Sequence, residues 1–282
     1  MYKEARRLRG LFLSFALLAF PLLSLWAPDV ARAGNIALTG HDDDFHAAFG
    51  SSQASAQLNA LVTFARDGSA LPVLTFDSGT ELTSALTALG ISFVNVDPNN
   101  AVAVTDALFD HSIYSAFVVA SDASCGGCDN SPTGEANIAA HTTAINNFLN
   151  AGGGIVGLAG ASSASYYAFV PQTASAVGGA PSTGYTATGI FGIPAVNGDA
   201  THNLFRDPGT FGESAFYQVA ETNSFGNGVI GPGGASTLVC FHCTTEGGVI
   251  VGGGGGVPEP SSLLLLGSGI LALAARRLKQ TG

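Results

Sequence analysis

Five short apolar runs punctuate the first half of the chain: IALTG (36–40), PVLTFD (72–77), SFVNVD (92–97), AFVVASD (116–122) and GIVGLAG (154–160). Each is too uniformly apolar for a strand with one wet face, so each predicts a strand buried on both sides of a largely parallel sheet. Amphipathic stretches lie between them. Ala54, Leu58, Leu61, Val62 and Ala65 share one helical face, which Gly68 stops. Thr80 opens a second helix with Leu82, Ala85, Leu86 and Leu89 inward, ending at Gly90. Ser131 and Pro132 open a third, with Ile138, Thr142, Ile145, Phe148 and Leu149 on one stripe and Gly152 beyond its end. Strands alternating with helices predict an α/β fold with helices on both faces of the sheet.

After Gly160 the pattern loosens. Gly, Ala, Ser and Thr dominate through Ala195, and strand-like runs return at SAFYQVA (214–220), STLVCF (236–241) and GGVIVGG (247–253). These predict a variable insertion followed by antiparallel or edge strands that complete the same sheet. No fixed-period repeat is visible.

Both ends have a different character. The first 33 residues combine a basic start, an apolar run from Leu11 to Trp26 and the small residues Ala31 and Ala33 flanking Arg32. This predicts a signal peptide, 1–33, cut by signal peptidase after Ala33. At the other end, a glycine-rich linker (252–257) precedes Pro258-Glu259-Pro260, an apolar segment and Arg276-Arg277. Helical from Ser261 to Leu278, that segment would span about 27 Å, enough for a transmembrane helix. Its basic end belongs in the cytoplasm and the body, 34–251, on the other side.

Charge narrows the function. Residues 34–257 hold two basic and 17 acidic side chains, a net of −15. Such a surface repels nucleic acid, which is excluded as a partner.

The order Pro258-Glu259-Pro260, apolar helix and basic tail over residues 258–282 resembles the PEP-CTERM sorting signal of exopolysaccharide-producing Gram-negative bacteria. The resemblance implies an exported protein, anchored in the inner membrane by its C-terminal helix and then processed near the Pro-Glu-Pro by an exosortase, for the cell envelope, the surface or the medium. Exopolysaccharide is the implied company. A fainter resemblance covers residues 35–253. Asn150-Ala-Gly-Gly-Gly-Ile-Val-Gly-Leu-Ala-Gly-Ala161, with Thr201-His202-Asn203-Leu204-Phe205, Glu213, Tyr217 and Glu246-Gly-Gly-Val-Ile-Val251, is similar to class I glutamine-amidotransferase-like domains of the ThuA-like branch. It implies a flavodoxin-like or amidotransferase-like sheet. The family's cysteine nucleophile is absent: its turn reads Gly157-Leu158-Ala159-Gly160 here, so acyl chemistry at the elbow lacks its attacking atom.

Two constellations remain. Cys125-Gly-Gly-Cys128 and Cys240-Phe-His-Cys243 each follow a predicted strand. Export favours disulfides in any of three pairings; a zinc site and a redox-active C-x-x-C are the alternatives. A pairing between the two motifs would close a loop of more than a hundred residues. His41, Asp42, Asp44 and His46 follow the first strand, at the edge where open α/β sheets bind ligands. They suit a divalent cation, while the plainer reading is a solvated acidic loop. Asp77, Asp97 and Asp122 end later strands and are expected to line the same crevice. The resulting expectation is an exported binding or matrix component without catalysis; the alternative is a carbohydrate-active hydrolase or lyase.

Overall fold

All five apolar runs form strands. In the computed structural model, which describes residues 33–122, 129–160, 166–173, 182–186, 216–218, 237–247 and 249–251, they are β1 (Gly34–Thr39), β2 (Val73–Phe76), β3 (Phe93–Val96), β4 (Ala116–Val119) and β5 (Gly154–Gly157). They run parallel in the order β3-β2-β4-β5-β1. Counted from β2, this is the flavodoxin-like order 2-1-3-4-5 with β1 in the fifth place. The start of the chain therefore supplies the strand that a flavodoxin-like chain reaches last.

The reason lies on the other side of β1. The strand β9 (Thr237–Glu246) pairs with it antiparallel, so β1 is interior to the sheet and buried along its whole length. Beyond β9 lie β10 (Val249–Val251), antiparallel to its second half, and β6 (Gln172–Thr173). The first half of β9 also pairs with β8 (Tyr217–Gln218), which pairs with β7 (Ser182–Thr186). The late runs thus complete the sheet as antiparallel strands, as expected, and β9 extends well past the predicted Phe241.

Among the described residues five α-helices cover the sheet: α1 (Asp43–Ala48), α2 (Ser52–Arg66), α3 (Glu81–Ala88), α4 (Pro132–Ala139) and α5 (Thr142–Asn150). Ser51 and Ser131 cap α2 and α4, accepting from Ala54 N–H and Gly134 N–H. The third predicted helix is two. It breaks at Ala140–His141, where the Thr142 hydroxyl donates to Ala139 C=O and the His141 ring meets Asp106 at 2.6 Å. Thr142 is consequently exposed rather than on the inward stripe.

Two apolar layers result. On one face Ala37, Val73, Ala116, Val118 and Val156 receive Leu58, Leu61 and Val62 of α2 and Leu82 and Leu86 of α3. The other face is aromatic: Phe76, Phe117 and Tyr166 pack with Ile138, Ile145, Phe148 and Leu149 of α4 and α5. Alternate residues of β1, Ile36 and Leu38 against Ala37, point to opposite layers, the period of two that a doubly buried strand requires.

Among the described residues no helix is long and apolar enough to cross a membrane. The signal peptide before Ala33 and the predicted C-terminal transmembrane helix lie outside the described residues, as do Pro258, Glu259, Pro260, Arg276 and Arg277.

Candidate functional site

The direction of travel along the sheet reverses between β2 and β4, so the crevice outside their carboxyl ends is the place where such sheets take ligands. Here Asn130 bridges it. Its Nδ2 donates to Phe76 C=O at 2.8 Å and to Ala120 C=O at 3.3 Å, joining the ends of the two strands. Its Oδ1 accepts from Ser78 N–H and the Ser78 hydroxyl, at 3.1 and 3.0 Å.

Acidic side chains gather around this staple. Asp77 Oδ1 accepts from Gly79 N–H at 2.8 Å and Oδ2 from Thr83 N–H at 3.0 Å, capping α3 in place of Thr80, the cap expected from sequence. Asp129 Oδ2 accepts from Leu82 N–H at 3.4 Å. Burial, the contact with Glu81 and the charges of Asp77 and Asp44 hold the Asp129 carboxyl well above the ordinary carboxylate range. The partner moves the other way: the hydrogen bond from Asp129 pulls Glu81 down. One proton therefore resides on Asp129 and is donated to the Glu81 carboxylate. Gly79 makes the convergence possible, because a Cβ there would lie 1.8 Å from Asp129 Oδ1.

Asp44, on α1, reaches the end of β4. Its carboxylate accepts from Ser121 N–H at 2.7 Å and from the Ser121 hydroxyl at 2.8 Å. Burial pushes this carboxyl up to about 7 against the pull of those bonds, and the neighbouring Asp42 adds to the rise. His41, Asp42 and Asp43 are buried as well, so the acidic stretch is not a solvated loop: α1 packs it against α2 and α3. Asp42 Oδ1 meets His46 Nε2 at 3.4 Å, one helical turn on. Of the four candidate cation ligands, Asp44 thus engages Ser121 and Asp42 engages His46, while the backbone N–H of the fourth, His41, donates to the Thr39 hydroxyl at 3.2 Å. Among the described residues no group of three or more His, Cys, Asp or Glu side chains is placed to hold a metal ion. Asp122 is buried at the same edge, whereas Asp97 is exposed and binds Asn99 N–H at 2.9 Å within its own turn.

The turn after β5, where the resemblance places an elbow, is closed by two tyrosines. Tyr166 Oη accepts from Leu158 N–H at 3.1 Å and donates to Ala120 C=O at 2.7 Å. Tyr167 Oη lies 2.9 Å from Thr39 C=O and 2.8 Å from Leu158 C=O. A Cβ at Gly160 would collide with the Tyr166 side chain at 2.6 Å. The Leu158 N–H at this turn is therefore already engaged. Both phenols are buried, and that burial raises their proton affinity.

Cys240 and Cys243 are bonded to each other, the local one of the expected pairings. They lie inside β9 rather than past a strand end. Gly34 pairs with Cys243 and Ile36 with Cys240, so β9 carries one residue more than β1 across this stretch. That bulge, with His242 at φ 49, turns two positions that would otherwise face opposite sides onto the same apolar layer. Cys125 and Cys128 lie outside the described residues, as do His202 and Glu213.

Sequence reasoning missed Asn130, Ser121, Glu81 and the Tyr166-Tyr167 pair. Asn130 and Asp129 carried a signal: both stand where the chain returns to the sheet edge just before the Ser131-Pro132 helix start.

The family comparison concerns the tail. Residues 256–278 match the family model of the PEP-CTERM protein-sorting motif. The chain carries a PEP-CTERM sorting signal. That signal marks an exported, surface-directed protein processed by an exosortase. No curated protein and no solved structure matches the chain.

Proposed function

We propose that the PEP-CTERM body, residues 34–251, is a non-catalytic binding or matrix component of an exopolysaccharide-rich envelope. In this reading signal peptidase cuts after Ala33, and the helix within residues 258–282 holds the protein at the inner membrane until an exosortase cuts near Pro258-Glu259-Pro260. One observation supports the body's role: among the described residues the chain's own groups engage the strand ends at the carboxyl edge, Asn130 at the switch point and Tyr166 on the Leu158 amide. Its acids are engaged in joining elements, Asp77 to α3 and Asp44 to β4.

Mass spectrometry of the mature protein from its native host tests this. The expected species begins at Gly34 and ends near Pro258. Replacing Pro258, Glu259 and Pro260 by Ala should leave an unprocessed, membrane-held form. A mature protein that keeps Met1, or a tail cut identically in the triple variant, overturns the reading.

A second reading draws on Asp44, a buried acid at the ligand-binding edge whose carboxyl titrates at about 7. It is a carbohydrate hydrolase or lyase, with His41, Asp42, Asp44 and His46 as acid-base residues or as ligands to a divalent cation. Cleavage of the host's exopolysaccharide by the purified protein, abolished by Asp44→Asn, would establish it; metal analysis of that protein would report the cation.

A further inference from the structure

β3 is the last strand of the sheet on the side away from β9, and among the described residues no strand pairs with its outer edge. Its inner groups are committed to β2: Ser92 C=O accepts from Val73 N–H at 3.0 Å and Val96 C=O from Asp77 N–H at 3.3 Å. Alternation along a parallel ladder then turns the N–H and C=O of Phe93 and Asn95 outward. Val94, between them, is 43% exposed. Folded proteins guard such edges with charges, prolines or a covering element. Ile91–Val96 carries neither charge nor proline, although the body as a whole is at −15.

The groove beside this edge has an uncharged lining. Thr80, Thr83, Ser84, Thr87 and Ala88 of α3 and its cap line a shallow groove with Phe93. Thr83 donates its hydroxyl to Thr80 C=O at 3.0 Å and Thr87 to Thr83 C=O at 2.7 Å. Covering those two threonines strands no hydroxyl, and the short side chains let a second helix approach closely.

We propose that β3 pairs antiparallel with β3 of a second copy of this chain, about a two-fold axis at Val94. In this register Phe93 lies opposite Asn95 of the partner subunit, and Asn95 opposite Phe93 of the partner subunit. All four outward groups on each side then enter four N–H···O=C bonds. Val94 meets Val94 of the partner subunit as the close, non-hydrogen-bonded pair. The occupant is a second copy because the edge complements itself and because the register resolves the charge problem. Asp97 falls opposite Ile91 of the partner subunit, and the two Asp97 residues sit about 20 Å apart along the ladder. That exceeds the screening length of about 8 Å at physiological salt, so two strongly acidic bodies meet where neither carries charge. The interface belongs to the small class, below about 1,200 Å² in total. Confinement of the chain at a membrane by its tail raises the effective concentration that such an interface needs.

Site-directed cross-linking of the full-length chain in membranes tests the register. Val94→Cys should oxidise to a covalent dimer several-fold faster than Asn95→Cys, whose opposite residue is Phe93 of the partner subunit, and than Val102→Cys, an exposed control. Adding Ser84→Glu to Val94→Cys should suppress the dimer by setting two carboxylates face to face across the axis. Equal rates for the three cysteines, or a Val94→Cys dimer indifferent to Ser84→Glu, overturn the proposal. A second measurement does not depend on cysteine. The detergent-solubilised wild-type chain should sediment increasingly as a dimer as its concentration rises toward about 1 mM, and Val94→Lys should remove that increase. A wild type that stays monomeric, or a Val94→Lys chain that dimerises equally, overturns it as well.

Discussion

Asn35 holds His242 across the bulge of β9. Its Oδ1 accepts from His242 N–H at 2.9 Å, while its Nδ2 donates to Phe64 C=O at 2.8 Å at the end of α2. One buried amide thus satisfies the backbone of an irregular strand position and ties it to a helix. His242 also stacks on Phe241, with ring centroids 3.7 Å apart, and faces Asp67 at 3.4 Å.

Asn35→Ala leaves the His242 N–H without its partner, while Phe64 C=O keeps the Asp67 N–H at 3.2 Å. One such loss costs about 1–3 kcal/mol, so the variant should unfold at lower urea by about that much with an unchanged denaturant slope. A loss near zero would mean that solvent already serves the His242 amide.

The Cys240–Cys243 bond closes a very short loop, so its restriction of the unfolded chain is worth about 2 kcal/mol on the chain-entropy scale. Replacing both cysteines by Ala should cost about that much plus the smaller term for lost packing in the apolar layer. Non-reducing peptide mapping provides the connectivity directly: a single peptide containing Cys240 and Cys243, lighter by two protons than its reduced form. A peptide joining either residue to the Cys125 region would refute the pairing.

Asp44 gives the fold a pH dependence of defined sign. Its carboxyl titrates at about 7 in the folded chain against 3.8 for an ordinary aspartate, so the folded state binds this proton more tightly than the unfolded state. The stabilisation it brings is complete below about pH 4 and is lost as pH rises to about 7. Three units correspond to about 4 kcal/mol as an upper figure. Asp44→Asn keeps an acceptor for Ser121 N–H and a donor for the hydroxyl while removing the titration. Urea midpoints measured across that pH range should fall for wild type and stay flatter for the variant; parallel curves would show that Asp44 is not the group responsible.

Gly79→Ala pushes a methyl onto the Asp129 carboxyl and toward Glu81, 2.7 Å from the added carbon. Relief requires the Asp129–Glu81 pair to separate or α3 to shift, a cost of about 1–3 kcal/mol. Gly90→Ala provides the contrast. Nothing lies within 4 Å of its added carbon, yet Gly90 sits at φ +68, so its cost reports backbone strain alone. Thermal unfolding should show whether the Gly79 penalty disappears when Asp129 is also replaced by Ser, as a steric cause requires.

β1, β2, β4 and β5 were legible because burial on both faces leaves little choice of residue: FVV in β4 and IVG in β5 admit no polar alternation. β3 does not fit the same expectation, since as the edge strand it exposes Val94 and Asn95. The helix start at Ser131 was legible because capping is local. Thr80 deceived for the same reason: it has the right chemistry, but Asp77, three residues earlier, reaches the amides first. The order of strands was not legible, since nothing local to IALTG reveals that β9, two hundred residues on, will pair beside it.

The sequence by itself determined the alternation of elements, the acidic, uncharged-by-lysine body and the sorting address at residues 256–278, all of which are written in contiguous residues. Tertiary structure alone decided which acids meet. Asp44 and Ser121, 77 positions apart, and Asp77 and Asp129 come together only because the chain returns to one sheet edge. It also decided that Cys240 and Cys243 face the same side, because a bulge shifts the pleat by one residue, and the need for that bulge arises from pairing with β1 rather than from the cysteine spacing.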